Sequence, residues 1–259
     1  MSKVHRFITF NISYFTLGIV SLFLVSDLTA LLPLWLFLAF GNGTVGHRYL
    51  SHSSFEVHPW LHWPLMFWVT LTGYSTTMFW EIQHKHHHRN SDNDTDVHSP
   101  VNGFWQALFL WSFNPKRITS IFEDKVSLVN LTRSMRDPAI RFTTNYFIPI
   151  NLIFLTTLAI INIEWLYCVA IAFCIEHLRL GLINTVTHIE GIPGNYRNHN
   201  TKDRSQNNIY LGLITLGFAW HNNHHASPKK LILTERWWEL DPEGWLGKLL
   251  SLTSRGKHE

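Results

Sequence analysis

Long stretches of this chain carry no charge, and that constrains its fold more than anything else. Phe7 to Ser26 is 20 uncharged residues, Leu28 to Gly46 is 19, and Phe142 to Ile163 is 22. Pro59 to Trp80 is uncharged apart from His62, and Trp165 to Ile175 opens a further apolar run. A helix needs about 20 apolar residues to cross the hydrocarbon core of a bilayer. Several of these runs qualify, so the expected fold class is an all-α integral membrane protein. A secretory leader is the competing reading of the first run. Its apolar part is too long for that, and no small-x-small cleavage site follows it, so a retained helix is expected. Pro33 near the start of the second run and Pro149 inside the Phe142 segment are tolerated in membrane helices, and Pro149 is expected to kink its own.

The polar stretches between the runs are basic. Asn114 to Arg141 holds Lys116, Arg117, Lys125, Arg133, Arg136 and Arg141, and Ala226 to Glu259 holds Lys229, Lys230 and Arg236. Such stretches face the cytoplasm, and Lys3 and Arg6 place the N-terminus on the same side. A net charge of +3 gives no basic field of the kind nucleic acid needs. The composition also excludes disordered, collagenous and disulfide-rich classes. Cys168 and Cys174 lie in an apolar run and read as buried thiols. No repeat or long linker divides the chain, so residues 1–259 are expected to form a single domain.

Within this apolar frame stand 17 histidines, about one residue in fifteen. They concentrate in His47-Arg-Tyr-Leu-Ser-His52, His84-Lys-His-His87-His88 and His221-Asn-Asn-His224-His225. On an α-helix, steps of three and four residues return to nearly one face. His84, His87 and His88 are therefore expected to point together, as are His221, His224 and His225, with His86 turned away. His47 and His52 are about 140° apart on an α-helix. They share one metal only if the helix end unwinds; otherwise they serve two, which hints at a two-metal centre. Asn184 and His188 share a face near the end of the last apolar run, with His177 two turns earlier. A polar stripe inside a membrane helix is costly and usually functional. The isolated His5, His58, His62, His199 and His258 read as ordinary interfacial residues.

Imidazole suits iron, zinc, copper or nickel, so the ligand type alone names no metal. There is no H-E-x-x-H, and Glu81-x-x-His84 is a single E-x-x-H where a ferritin-like di-iron bundle needs two. No Walker loop, dinucleotide fingerprint or nucleophile elbow is present.

The three boxes, in this order, resemble those of the membrane fatty acyl desaturases, specifically the acyl-CoA Δ9 (stearoyl-CoA) type. Asn184-Thr-Val-Thr-His188, Asp96-Val-His98-Ser-Pro100, Asp203-Arg-Ser205-Gln-Asn207-Asn208 and Trp238-Glu-Leu-Asp241-Pro are similar to further segments of that family, and the likeness runs from about residue 28 to 252. The resemblance implies two irons held by His47, His52, His84, His87, His88, His188, His221, His224 and His225, with Asn184 holding a metal-bound water. It implies O2 as co-substrate and a fatty acyl thioester, on CoA or acyl-carrier protein, or a lipid-linked acyl chain. No heme-binding segment stands in these 259 residues, so the implied electron donor is separate: cytochrome b5-, ferredoxin- or rubredoxin-like. Ligands that share one site must lie on one side of the membrane. The Pro59–Trp80 run then cannot cross once, which leaves about four spanning helices, both termini cytosolic, and a cytosolic helical cap around the metals. Lys116 and Arg117 are candidates to meet a carrier's phosphates.

Three positions depart from the family pattern. Gly217-Phe218-Ala219-Trp220 stands where Gly-Glu-Gly and an aromatic are usual, Gly181 where a Trp is common, and Gln206 where an Arg is frequent. Hydroxylation or triple-bond formation on the same scaffold is the alternative reading. Metal handling without catalysis is the more distant one.

Overall fold

The computed structural model describes residues 3–257, which places His258 outside the described residues. Apart from one two-residue strand pair, its regular structure is helical. Helix α1 (Lys3–Leu24) and helix α10 (Ile163–Val186), with 22 and 24 residues, are each long and apolar enough to cross a membrane. At about 1.5 Å per residue they exceed the ~30 Å hydrocarbon core. Between them in sequence come α2 (Leu31–Phe40), α3 (Pro59–Leu71), α4 (Thr77–Asn90), α5 (Phe104–Leu108), α6 (Pro115–Ile121), α7 (Lys125–Ser134), α8 (Pro138–Asn145) and α9 (Phe147–Ile161). After α10 come α11 (Ile209–Ile214), α12 (His221–Ala226) and α13 (Pro242–Ser251).

Two helices qualify as spans on their own, and a third exists if α8 and α9 are one bent span. The four spans expected from the sequence are thus only partly visible as straight helices. The apolar run from Leu28 gives just ten residues of α-helix and then continues as a π-helix, Gly41–Ser51. The run from Phe142 is broken at Tyr146, where α8 and α9 meet at 69°. The break lies ahead of Pro149 for a steric reason: a proline ring collides with the carbonyl four residues earlier, here that of Asn145, the last residue of α8. Helix α3 has 13 residues, roughly 20 Å, too short to cross.

Helix α10 is the axis of the molecule. Its apolar window is 67% buried against 22% for α1, and both α1 and α2 pack along it. Tyr14 of α1 stacks on Phe173 of α10 with ring centroids 3.8 Å apart. Cys168 is buried, as expected, whereas Cys174 is half-buried. A second apolar core, including Val45, Met66, Phe79, Ile82 and Trp111, lies beneath the histidine-bearing elements and joins the π-helix to α3, α4 and α6.

Polar side chains begin these elements where the sequence supplies them. Thr76 accepts from the Phe79 N–H at the start of α4, Asp241 from that of Gly244 in α13, and Asn162 from that of Glu164 in α10.

Candidate metal centre

Nine imidazoles meet where the π-helix, α4, α12 and the end of α10 converge. They form two clusters. His47, His52, His84, His88 and His224 make the first; His87, His188, His221 and His225 make the second, and within each cluster the candidate ligand nitrogens lie within 4.8 Å of one another.

In the first cluster the ε nitrogens form a chain. His47 is 2.9 Å from His224, His224 is 2.8 Å from His88, His88 is 3.1 Å from His84, and His84 is 2.7 Å from His52. In the second, His188 and His221 approach to 3.0 Å, and the ε nitrogens of His87 and His225 are buried without any partner. Metal–imidazole bonds of about 2.1 Å place neighbouring ligand nitrogens roughly 3 Å apart. The donor set and its orphaned nitrogens therefore fit two metal ions.

Helix pitch decides how these rings are delivered: it takes one of the two alternatives open for His47 and His52, and it departs from the expectation for the triplets. His47 and His52 fall in the same cluster. The π-helix explains this: its hydrogen bonds run from i to i+5, as in His52 N–H to His47 C=O at 3.2 Å, so residues five apart stack about one turn on. The two triplets, expected to point together, instead split between the clusters. Neighbouring residues on an α-helix diverge by about 100°. His84 and His88 therefore enter the first cluster while His87 enters the second, and His221 and His225 enter the second while His224 enters the first. Helices α4 and α12 each stand between the clusters and serve both. His86 turns away as expected and approaches the Thr95 carbonyl at 3.1 Å.

The π-helix is held by its surroundings. At Gly43 an added Cβ would lie 2.0 Å from the Glu243 carboxylate, and at Gly46 2.1 Å from the Trp80 indole nitrogen, so only glycine lets these groups approach the backbone. Arg48, next to His47, is 1% exposed and binds Asp241 at 2.8 Å and Glu243 at 2.7 Å. Glu243 also takes Arg179 at 2.9 Å, and Arg179 returns to Glu176 on its own helix. This buried chain of two guanidiniums and three carboxylates ties the π-helix, α10 and α13 together. Of its members only Arg48 and Asp241 stood in segments noted in the sequence; Glu176 and Arg179, three apart inside an apolar run, were a further available signal.

Helix α12 has only six residues, too few to be stable alone. The two asparagines between its histidines hold it. Asn222 accepts from the backbone of Asn198 and His199 at 2.8 Å each, and Asn223 donates to the Leu233 carbonyl at 2.8 Å and the Glu239 carboxylate at 3.0 Å.

Behind the second cluster stand three aspartates. Asp96 faces His87 Nδ1 at 2.8 Å, Asp92 faces His188 Nδ1 at 3.1 Å, and Asp203 faces His225 Nδ1 at 2.6 Å. Burial alone would lower the His87 pKa, yet the carboxylates, Asp96 foremost, raise it. Burial likewise opposes ionisation of Asp96, but His87 overcomes it and holds the carboxyl at about 2. In the first cluster burial lowers His52 to about 3 and takes His84, His88 and His224 well down, leaving neutral rings. Asp96 and Asp203 lie in segments already noted in the sequence, while Asp92 had no motif to mark it.

The remaining candidates are not among the nine clustered imidazoles. Asn184 is half-buried one turn before His188 and makes no side-chain hydrogen bond among the described residues. His177 does not reach either cluster: its ring lies among Phe15, Tyr74 and Phe173 and its Nδ1 approaches the Phe173 carbonyl at 3.2 Å. His98 is buried against Trp111 beside Asp96, with neither nitrogen hydrogen-bonded. His62 pairs with Asp137 and His199 with Glu235, and His58 caps α3. Arg117 is spent on the fold, binding the Asp94 carbonyl and the Asn102 side chain, each at 3.0 Å. Its neighbour Lys116 is exposed beside Asp94, Glu123 and Asp124, so this cleft is no phosphate cradle.

Known proteins place this architecture. The pattern describing the family named Fatty acid desaturase matches residues 28–243. A probable lipid desaturase, chloroplastic, of Arabidopsis thaliana is 33% identical over 217 residues, covering 80% of this chain and 58% of the relative. The Delta-9 acyl-lipid desaturase 2 of the same plant is 30% identical over 80% of this chain and 68% of its own length. An sn-2 palmitoyl-lipid 9-desaturase of Nostoc is 28% identical over 86% of this chain and 77% of its own. The chain thus spans less than two thirds of the chloroplast relative. With the family pattern covering the histidines of both clusters, the chain belongs to the fatty acid desaturase family.

Proposed function

We propose that this protein is an oxygen-dependent di-iron desaturase that introduces a double bond, of Δ9 type, into the acyl chain of a membrane lipid. The observation that carries this reading is the convergence of nine imidazoles into a five-histidine and a four-histidine cluster. His47, His52, His84, His88 and His224 would hold one iron, and His87, His188, His221 and His225 the other, with Asn184 beside the second through a water. Iron at these positions supplies the O2-driven oxidation that unactivated methylene groups require and side chains cannot perform.

The chain's own contribution is to orient and to exclude. Buried, largely neutral rings present their lone pairs without first losing protons. The arginine–carboxylate chain fixes the π-helix and so the His47–His52 pair. The apolar core below the clusters keeps competing water from the reacting carbons. A carrier with phosphates finds no cradle at Lys116 and Arg117, and three relatives are named as lipid or acyl-lipid desaturases; both support a lipid-linked chain over acyl-CoA. The proposal includes a single domain with four crossings, the bent pair α8–α9 and the α2–π-helix among them, and both termini and the metal cap in the cytosol. A separate one-electron carrier supplies the reducing equivalents.

Expression in a desaturase-null host, with double-bond mapping of its lipids and of its acyl-CoA pool, tests the reading. A loss of two hydrogens in lipid-linked chains, abolished by His87→Ala, is the expected result. A gain of oxygen, product confined to acyl-CoA, or purified protein without iron overturns it.

A further inference from the structure

The two clusters differ in what stands behind their ligands. In the four-histidine cluster, three rings have a carboxylate on the far nitrogen: Asp96 behind His87, Asp92 behind His188 and Asp203 behind His225, at 2.8, 3.1 and 2.6 Å. In the five-histidine cluster none does among the described residues; the δ nitrogens of His47 and His224 are buried without a partner. Arg48, next to His47, is spent on Asp241 and Glu243, and Lys85, next to His84, on Glu81, so no carboxylate beside the five-histidine cluster is left to face its rings.

These aspartates are placed with some care. Asp92 occupies the left-handed region, φ 64°, which a short polar side chain tolerates at a cost. Its second oxygen accepts the Arg204 N–H at 2.6 Å, so α4's end and the loop between α10 and α11 meet at this carboxylate. Asp203 is fixed in turn by the Ser205 and Thr201 hydroxyls. Asp96 is wholly buried and accepts the His98 N–H at 3.1 Å. A carboxylate behind an imidazole fixes the tautomer, aims the other nitrogen and raises its basicity, and its loss costs about ten- to 100-fold in metal affinity.

We propose that the two centres are unequal: the four-histidine cluster is the tight, first-filled metal site, and Asp92, Asp96 and Asp203 are the positioning residues that make it so. The five-histidine cluster, with no carboxylate behind its rings among the described residues, fills second and releases its metal first. The inference rests on the metal-centre reading above and adds an order of loading to it.

The test uses the full chain in detergent, stripped with a chelator and titrated with Co2+ against a competing chelator, with the cobalt absorbance as readout. Two equivalents should bind in two steps at least about tenfold apart. Asp203→Asn and Asp92→Asn should each weaken the tighter step about ten- to 100-fold and leave the weaker one in place. Asp203→Glu should recover most of the loss, and His52→Ala should remove the weaker step alone. Asp92 and Asp203 are both partly exposed, so their variants are less prone to misfolding than one at the wholly buried Asp96. A single unresolved step for two equivalents, or aspartate variants that weaken both steps alike or neither, overturns the inequality. Binding of no Co2+ at all overturns the metal-centre reading itself, a separate failure.

Discussion

The π-helix and α4 each present two histidines to the same cluster, yet by different pitches. Helix α4 uses ordinary spacing: His84 and His88, four apart, point one way, and His87 is left to face the second cluster. The π-helix spaces its pair by five, and only its wider turn brings both rings to one side. Helix α4 keeps ordinary α-helical pitch and begins at its Thr76 cap. The π-helix requires glycines where Glu243 and Trp80 press on it, and a buried ion chain at Arg48. An identical task is thus done once by local structure and once by structure imposed from elsewhere in the chain, and the second kind is the more fragile.

That contrast can be broken or sharpened in order of expected effect. His84→Ala should lower desaturation in the null host more than about 100-fold, since a ligand matters more than the groups behind it. His86→Ala, two residues away on the opposite face, should leave double-bond formation intact. Equal losses for both would show that α4 tolerates no change rather than that its faces differ. Next comes Arg48→Ala, which leaves buried Asp241 without its cation and Glu243 with Arg179 alone, and should cost about 3–5 kcal/mol. Thermal unfolding in detergent reads this, and a drop no larger than that of an exposed arginine such as Arg136 refutes the imposed-pitch account. Gly43→Ala forces the Glu243 carboxylate to move and should cost about 1–3 kcal/mol, with the weaker metal step lost sooner than the tighter one.

A smaller effect concerns protons. His52, held near 3, and His225, near 4, bind fewer protons folded than unfolded. The stability this gives is complete above about 6.5 and is lost as pH falls from there towards 3–4. Asp96, held near 2, adds stability above 3.8 that disappears as pH falls through 2. The melting temperature of metal-free protein should therefore decline between pH 7 and 4; a flat profile contradicts the buried neutral rings. Smallest of all, Lys116→Ala should change neither melting, beyond about 0.5 kcal/mol, nor desaturation of lipid-linked chains.

Much of this molecule was legible in its residues. Uncharged runs located α1 and α10, and the histidine boxes marked every ring the structure gathers into the two clusters. Three features were not legible, each for a physical reason. Partition between the clusters depends on differences of 100° around a helix, finer than a shared-face argument resolves. The π pitch depends on Glu243, two hundred residues from Gly43, so no local pattern announces it. His177 satisfied the helical spacing to His188, but spacing along α10 says nothing of where the cluster begins, and three aromatic rings fill the space beside it.

Gly181 lies on α10 where the Leu108 carbonyl of α5 presses in; a Cβ there would stand 1.9 Å from that oxygen. A larger side chain, such as the tryptophan that the family resemblance leads one to expect here, has no room against such a backbone. Position 181 and the Phe104–Phe113 segment are therefore sterically linked: a larger residue at 181 requires that segment to move. Chimaeras and resurrected ancestors built across this boundary should exchange both together or lose the fold.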